Sequence, residues 1–94
     1  MINFQITLVG TGANPLIAPG LPPKYASWLV IQDNAAGALR MGGSTVSSTS
    51  GISLSTSGGS VTGQFNFPRG ACLNNIYLAG TAGNVIDICY EDSE

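Results

Sequence analysis

The chain predicts a small all-β domain, a β-sandwich or jelly-roll-like fold, and three observations predict it. Runs of β-branched and aromatic residues with a period of two recur along the sequence. Clusters of Gly, Pro, Asn and Ser break those runs at short intervals, and no stretch sustains the 3.6-residue apolar period of an amphipathic helix. The length fits one β domain spanning 1–94, since a chain of 94 residues buries roughly 60–65% of the surface it exposes when unfolded. A hydrophobic share of 44% separates it from disordered chains despite its Gly, Ser and Thr content.

The elements follow in order. Ile2, Phe4, Ile6 and Leu8 alternate with Asn3, Gln5 and Thr7, so a first strand buries one face. Residues 10–23 change character: four prolines and several glycines make a Pro-rich loop or arm, with Leu16, Ile17 and Leu21 as its apolar anchors. Tyr25–Gln32 is the clearest central strand, with Trp28 and Val30 on one face and Leu29 and Ile31 on the other. Asp33–Gly37 reads as a turn, Ala38–Met41 as a short returning strand, and Ser44–Ser60 as short strands phased by Val46, Ile52 and Leu54. Gly58-Gly59 is a sharp turn, Val61–Phe67 a strand that points Phe65 and Phe67 the same way, and Pro68-Arg69-Gly70 its stop. Two further β runs flank Gly80–Gly83 and predict a terminal hairpin. Six to eight strands are expected in all, in a sandwich or jelly-roll-like arrangement.

Charge is the unusual quantity. Three basic and five acidic side chains make up 9% of the chain, against about 25% in ordinary soluble domains. A surface so poor in charge is expected to be partly covered, by self-association or by a large assembly. The net charge of −2 and the scattering of Lys24, Arg40 and Arg69 argue against nucleic acid as a partner. No run approaches 18 apolar residues, so no membrane span is expected. The opening segment has no basic n-region and alternates as a strand does, which predicts leader-free synthesis in the cytoplasm of the producing cell.

Reaction chemistry fails by inventory. The chain has no histidine, so no Ser-His-Asp or Cys-His relay can form within it. Asp87 and Glu91 share a strand face about 13 Å apart, wider than the roughly 5–9.5 Å of paired glycosidase carboxylates. Gly10-Thr11-Gly12 lacks the basic loop and helix of a nucleotide site. No enzymatic activity, metal or cofactor is expected. Cys72 and Cys89 fall on one face of the expected hairpin, either as thiols or as a disulfide. Trp28, Tyr25 and Tyr77 suit either a subunit interface or sugar stacking.

Trp28–Gln32, Leu39–Val46, Gly51–Leu54 and Ile76–Ile88, taken in succession, resemble small virion proteins of tailed bacteriophages over roughly residues 26–91. The resemblance is strongest to β-sandwich modules that decorate, or cement, icosahedral heads, often as trimers. It implies a homotrimer on the virion capsid surface, bound to the phage major capsid protein and stabilising the head. Under it, Leu16, Ile17 and Leu21 with one sheet edge are expected to meet the shell. Trp28 and the Ile86, Ile88 and Tyr90 face are expected to serve core or trimer packing. Related modules occur on tails and fibres, which leaves a protein- or glycan-binding tail module as the alternative.

Overall fold

A computed structural model describes residues 1–10, 12–33, 38–47, 49–57 and 60–92. Nine strands form among them: β1 (Ile2–Thr7), β2 (Asn14–Pro15), β3 (Tyr25–Asp33), β4 (Arg40–Gly42), β5 (Ile52–Ser53), β6 (Ser55–Ser57), β7 (Ser60–Cys72), β8 (Tyr77–Ala79) and β9 (Val85–Asp92). The only helical element described is a single 3-10 turn, Leu73–Asn75. The strands make two antiparallel sheets, one ordered β1-β9-β3-β7-β6 and one ordered β2-β8-β4-β5. Pairing is nested: β1 takes β9, β2 takes β8, β3 takes β7 and β4 takes β5.

Alternation explains which faces meet. The five-stranded sheet turns Leu29, Ile31, Val61, Ile86, Ile88 and Tyr90 inward, while Met41 and Leu78 enter from the other sheet. Leu8, Leu16, Leu39 and Leu73 fill the ends of the same cluster. The β1 alternation is as expected, with Phe4 and Ile6 packed against the core and the Phe4 ring edge-on to Tyr90 at 6.0 Å. Phe65 and Phe67 stack nearly parallel, 6.5 Å apart. A Cα radius of gyration of 12.3 Å is close to the roughly 12 Å of a compact chain this long.

The terminal hairpin does not form. β8 pairs with β2 and β4, whereas β9 lies between β1 and β3 in the other sheet, so Gly80–Gly83 carries the chain across the sandwich. Packing at Gly80 explains the route: a Cβ there would come within 2.8 Å of Leu8 Cδ1 and 3.0 Å of Leu39 Cδ1. The link is wedged against the end of the core. Both leucines are buried, so Gly80→Ala is expected to cost about 1–3 kcal/mol through overpacking. A urea melt checks this, and an unchanged midpoint would mean that the link is free of the core.

Two other expectations change. Pro68-Arg69-Gly70 does not stop β7, which runs on to Cys72. The register with β3 jumps between Trp28↔Asn66 and Ala26↔Ala71, so Pro68 sits in an irregularity that needs no ladder hydrogen bond from it. The cysteines do not share a hairpin: Cys72 lies opposite Tyr25 on β7 and Cys89 opposite Val30 on β9. With β3 between their strands, the separation exceeds about 9 Å, beyond the reach of a disulfide, and both thiols are free. The expected turns at Asp33–Gly37 and Gly58-Gly59 lie outside the described residues, apart from Asp33 at the end of β3.

Candidate functional site

The expected contact residues divide between core and surface. Leu16, Ile86, Ile88 and Tyr90 are buried in the core of a single chain, leaving no side-chain surface to offer a partner. The β9 face packs into the core cluster of the single chain. Ile17 is half-buried against the cluster. Trp28 stands half-buried on the outer face of the five-stranded sheet, because Leu29 takes the inward position. Leu21 is exposed, at 56%.

Leu21 belongs to the most continuous exposed segment of the arm. Residues 18–25, Ala-Pro-Gly-Leu-Pro-Pro-Lys-Tyr, are all exposed, and they include one charge. Their shape is held from below. Leu21 N–H donates to Ala18 O at 3.3 Å with Gly20 at φ +87°, the type II turn that Pro at the second position and Gly at the third favour. Asn74, on the 3-10 turn, accepts from Lys24 N–H at 2.9 Å and donates to Leu21 O at 3.4 Å. Leu73 N–H donates to Lys24 O at 2.7 Å, and Leu16 N–H to Ile76 O at 3.1 Å. The arm is thus a braced apolar ridge: its prolines have little backbone freedom to lose on docking.

A second surface is the outer face of the five-stranded sheet. Register aligns Asn3, Cys89, Val30 and Gln64 in one row and Gln5, Asp87, Gln32 and Thr62 in the next. Between these rows lies a shallow groove of about 170 Å³ lined by Asn3, Val30, Gln32, Asp87 and Cys89, with Phe4 and Ile88 at its floor. Gln5 Nε2 donates to Asp87 Oδ1 at 2.6 Å along its rim. Trp28 lies on this face, one inter-residue repeat of β3 from Val30. Amides, a carboxylate and an indole are groups that a sugar can use.

The third surface is the free edge of β1, which the sequence did not single out. Its signal was present in the absence of charge and proline from Ile2–Thr7, the devices by which edge strands are usually protected. Near the C-terminal end of β1, Asp33 is buried and accepts from Asn84 Nδ2 at 2.9 Å. Lys24, Arg40 and Arg69 lie on the ridge, on β4 and within the irregular part of β7, three separate places. Among the described residues no three His, Cys, Asp or Glu side chains gather closely enough to hold a metal. Neither a family model, nor a curated protein, nor a solved structure matches this chain.

Proposed function

We propose that the chain is a structural virion protein that binds the exterior of a bacteriophage capsid as a decoration protein and stabilises the head. The observation that carries this reading is the Ala18–Tyr25 ridge, an exposed, preorganised apolar surface on a domain with few charges. Such a ridge suits insertion between subunits of a preformed shell: its apolar area leaves water and little conformational entropy is lost. The nested pairing of β1·β9, β2·β8, β3·β7 and β4·β5, with β6 as an added hairpin arm on β7, supports reading the fold as jelly-roll-like. That architecture is shared by capsid and lectin domains, so it is compatible with the role without assigning it.

The mechanism is mechanical. Each copy bridging shell subunits adds contact area that must be broken before the shell can expand, and contacts of about 800 Å² per partner are of the standard protein–protein size. Several copies linked to one another gain further through effective concentration. Symmetry-resolved electron cryomicroscopy of particles assembled with and without the chain is the direct test. Many copies bridging shell subunits, with the ridge against the shell, are expected. Leu21→Asp should remove most of that density while the free protein keeps its circular dichroism spectrum and melting midpoint, because Leu21 lies outside the core. Particle density that survives Leu21→Asp would reject the ridge, and density confined to a tail or fibre would reject the head assignment.

The outer-face groove favours a second reading, a tail or fibre module that binds glycan through Trp28, Asn3, Gln32 and Asp87. It predicts selective glycan binding that Trp28→Ala abolishes. Binding that is absent from the unmodified protein would set this reading aside.

A further inference from the structure

The unpartnered edge of β1 is a chemically specific surface. β1 and β9 run antiparallel with Ile2 opposite Tyr90 and Thr7 opposite Val85, and the register continues to Leu8, whose N–H donates to Asn84 O at 2.9 Å. In an antiparallel ladder, alternate residues direct both backbone groups to the same side. Ile2, Phe4, Ile6 and Leu8 therefore bond to the β9 side, while Asn3, Gln5 and Thr7 direct their N–H and C=O groups away from the sheet. All three residues are exposed, and β1 stands at the end of the sheet order with β9 as its neighbour among the described strands. The strand is about 20 Å long and carries no charge, proline or bulge. Just beyond it the edge ends, because Val9 N–H donates to Asn14 Oδ1 at 2.8 Å.

The other edges do not match it. β6 has three residues, and β2 and β5 have two each. β6 covers β7 only at Ser60–Thr62, and the open edge beyond is interrupted by Pro68 and the irregular register around it, so among the described strands a second β1 is the regular, proline-free edge that can use all three outward-facing residues. The two-fold register is then determined. Outward groups must face outward groups, so Gln5 meets the partner's Gln5, and Asn3 meets the partner's Thr7. On the inner face, Phe4 then lies beside the partner's Ile6, and Ile2, 41% exposed in the single chain, beside the partner's Leu8. Polar residues meet polar ones and apolar residues meet apolar ones without any further adjustment.

We propose that two copies of this chain associate through β1, antiparallel about Gln5, so that their five-stranded sheets become one continuous sheet. This inference does not rest on the capsid reading. It replaces the expected trimer by a dimer, since an isologous edge is used up when two copies pair. The contact is short, at the low end of specific interfaces, so the dimer should dissociate on dilution.

Sedimentation across a dilution series is expected to show a species of twice the 9.6 kDa chain giving way to monomer. Gln5→Pro removes an outward N–H and leaves the β9 ladder intact, the position at which an edge strand tolerates proline; the variant should be monomeric with an unchanged circular dichroism spectrum. Gln5→Lys, which sets two ammonium groups face to face, should act likewise if the proline variant does not fold. For a positive signal, Gln5→Cys in a C72S/C89S background should form a covalent dimer under mild oxidation, because directly opposed, hydrogen-bonded residues lie about 5.5 Å apart, within disulfide range. Thr7→Cys in that background faces Asn3 and should not cross-link. A protein that is monomeric at every concentration, a dimer that both Gln5 variants leave intact, or equal cross-linking at residues 5 and 7 would each overturn the proposal. So would β1 amides that become protected from exchange only on an assembled shell, which would give the edge to a shell strand. Failure of shell binding with the dimer intact would count against the capsid reading alone.

Discussion

Leu29→Ala is expected to lower the stability of the domain by about 3 kcal/mol, whereas Trp28→Ala, at the adjacent position, is expected to lower it by roughly 1 kcal/mol. The order is the reverse of what side-chain size suggests. Leu29 is fully buried at the centre of β3, between Phe65 on β7 and Tyr90 on β9, and its loss leaves a cavity that the two flanking strands prevent from collapsing. Trp28 points the other way, opposite Asn66 and Glu91, both exposed, and its removal opens no void inside the sandwich. Against a total stability on the order of 5–14 kcal/mol for a domain this size, the leucine change takes a substantial share. Urea unfolding followed by circular dichroism measures both on one scale. Equal losses would place the indole in the core and remove it from the outer face.

Asn14→Asp is expected to cost about 2–4 kcal/mol, although it changes one atom of the side chain. Asn14 is 8% exposed and joins three parts of the chain: its Oδ1 accepts from Val9 N–H at 2.8 Å, while its Nδ2 donates to Gly12 O at 3.1 Å and to Leu78 O at 3.3 Å. A carboxylate keeps the first bond and turns the other two contacts into oxygen against oxygen. Asn14→Ala deletes all three bonds but introduces no charge, so it should be the milder variant. Thermal melts of the pair check the order, and an Asp variant no worse than Ala would mean that the side chain turns to solvent.

The strands most legible in the sequence are those with an uninterrupted period of two. Ile2–Leu8 announces both its element and its buried face, because burial on one side of a pleated sheet imposes the alternation directly, whereas Tyr25–Gln32 announces its element but carries apolar side chains on both faces. Ile86, Ile88 and Tyr90 are legible in the same way as one face. What covers that face is a long-range choice, and here the facing sheet covers it. The hairpin expected at Gly80–Gly83 failed for a related reason. A glycine-rich link between two β runs looks alike whether the runs pair or separate, and the difference lies in Leu8 and Leu39, far away in sequence. Pro68 misled because an interrupted ladder accepts a proline that a regular one rejects.

The candidate surfaces were legible in proportion to how local they are. The Pro-rich arm stands out in the sequence, yet its inner part, through Leu16, belongs to the core and only residues 18–25 form the ridge. The brace from Asn74 has no sequence signal, since one asparagine among several is unremarkable until the 3-10 turn brings it beneath Leu21 and Lys24. The β1 edge depends on sheet order, which no local pattern encodes.

Nested pairing also sets the order in which the molecule can be made. β9 is an inner strand, flanked by β1 on one side and β3 on the other, and the N-terminal ammonium lies 3.2 Å from the Glu91 carboxylate. During synthesis the first strand therefore waits for residues 85–92 before it has a neighbour, and the β3 edge waits with it. Pairings this distant in sequence make folding slow, in the millisecond-to-second range of β-rich domains, and leave β1 and one edge of β3 open on the ribosome. A chaperone that shields these strands would matter more for the yield of this protein than for its final stability.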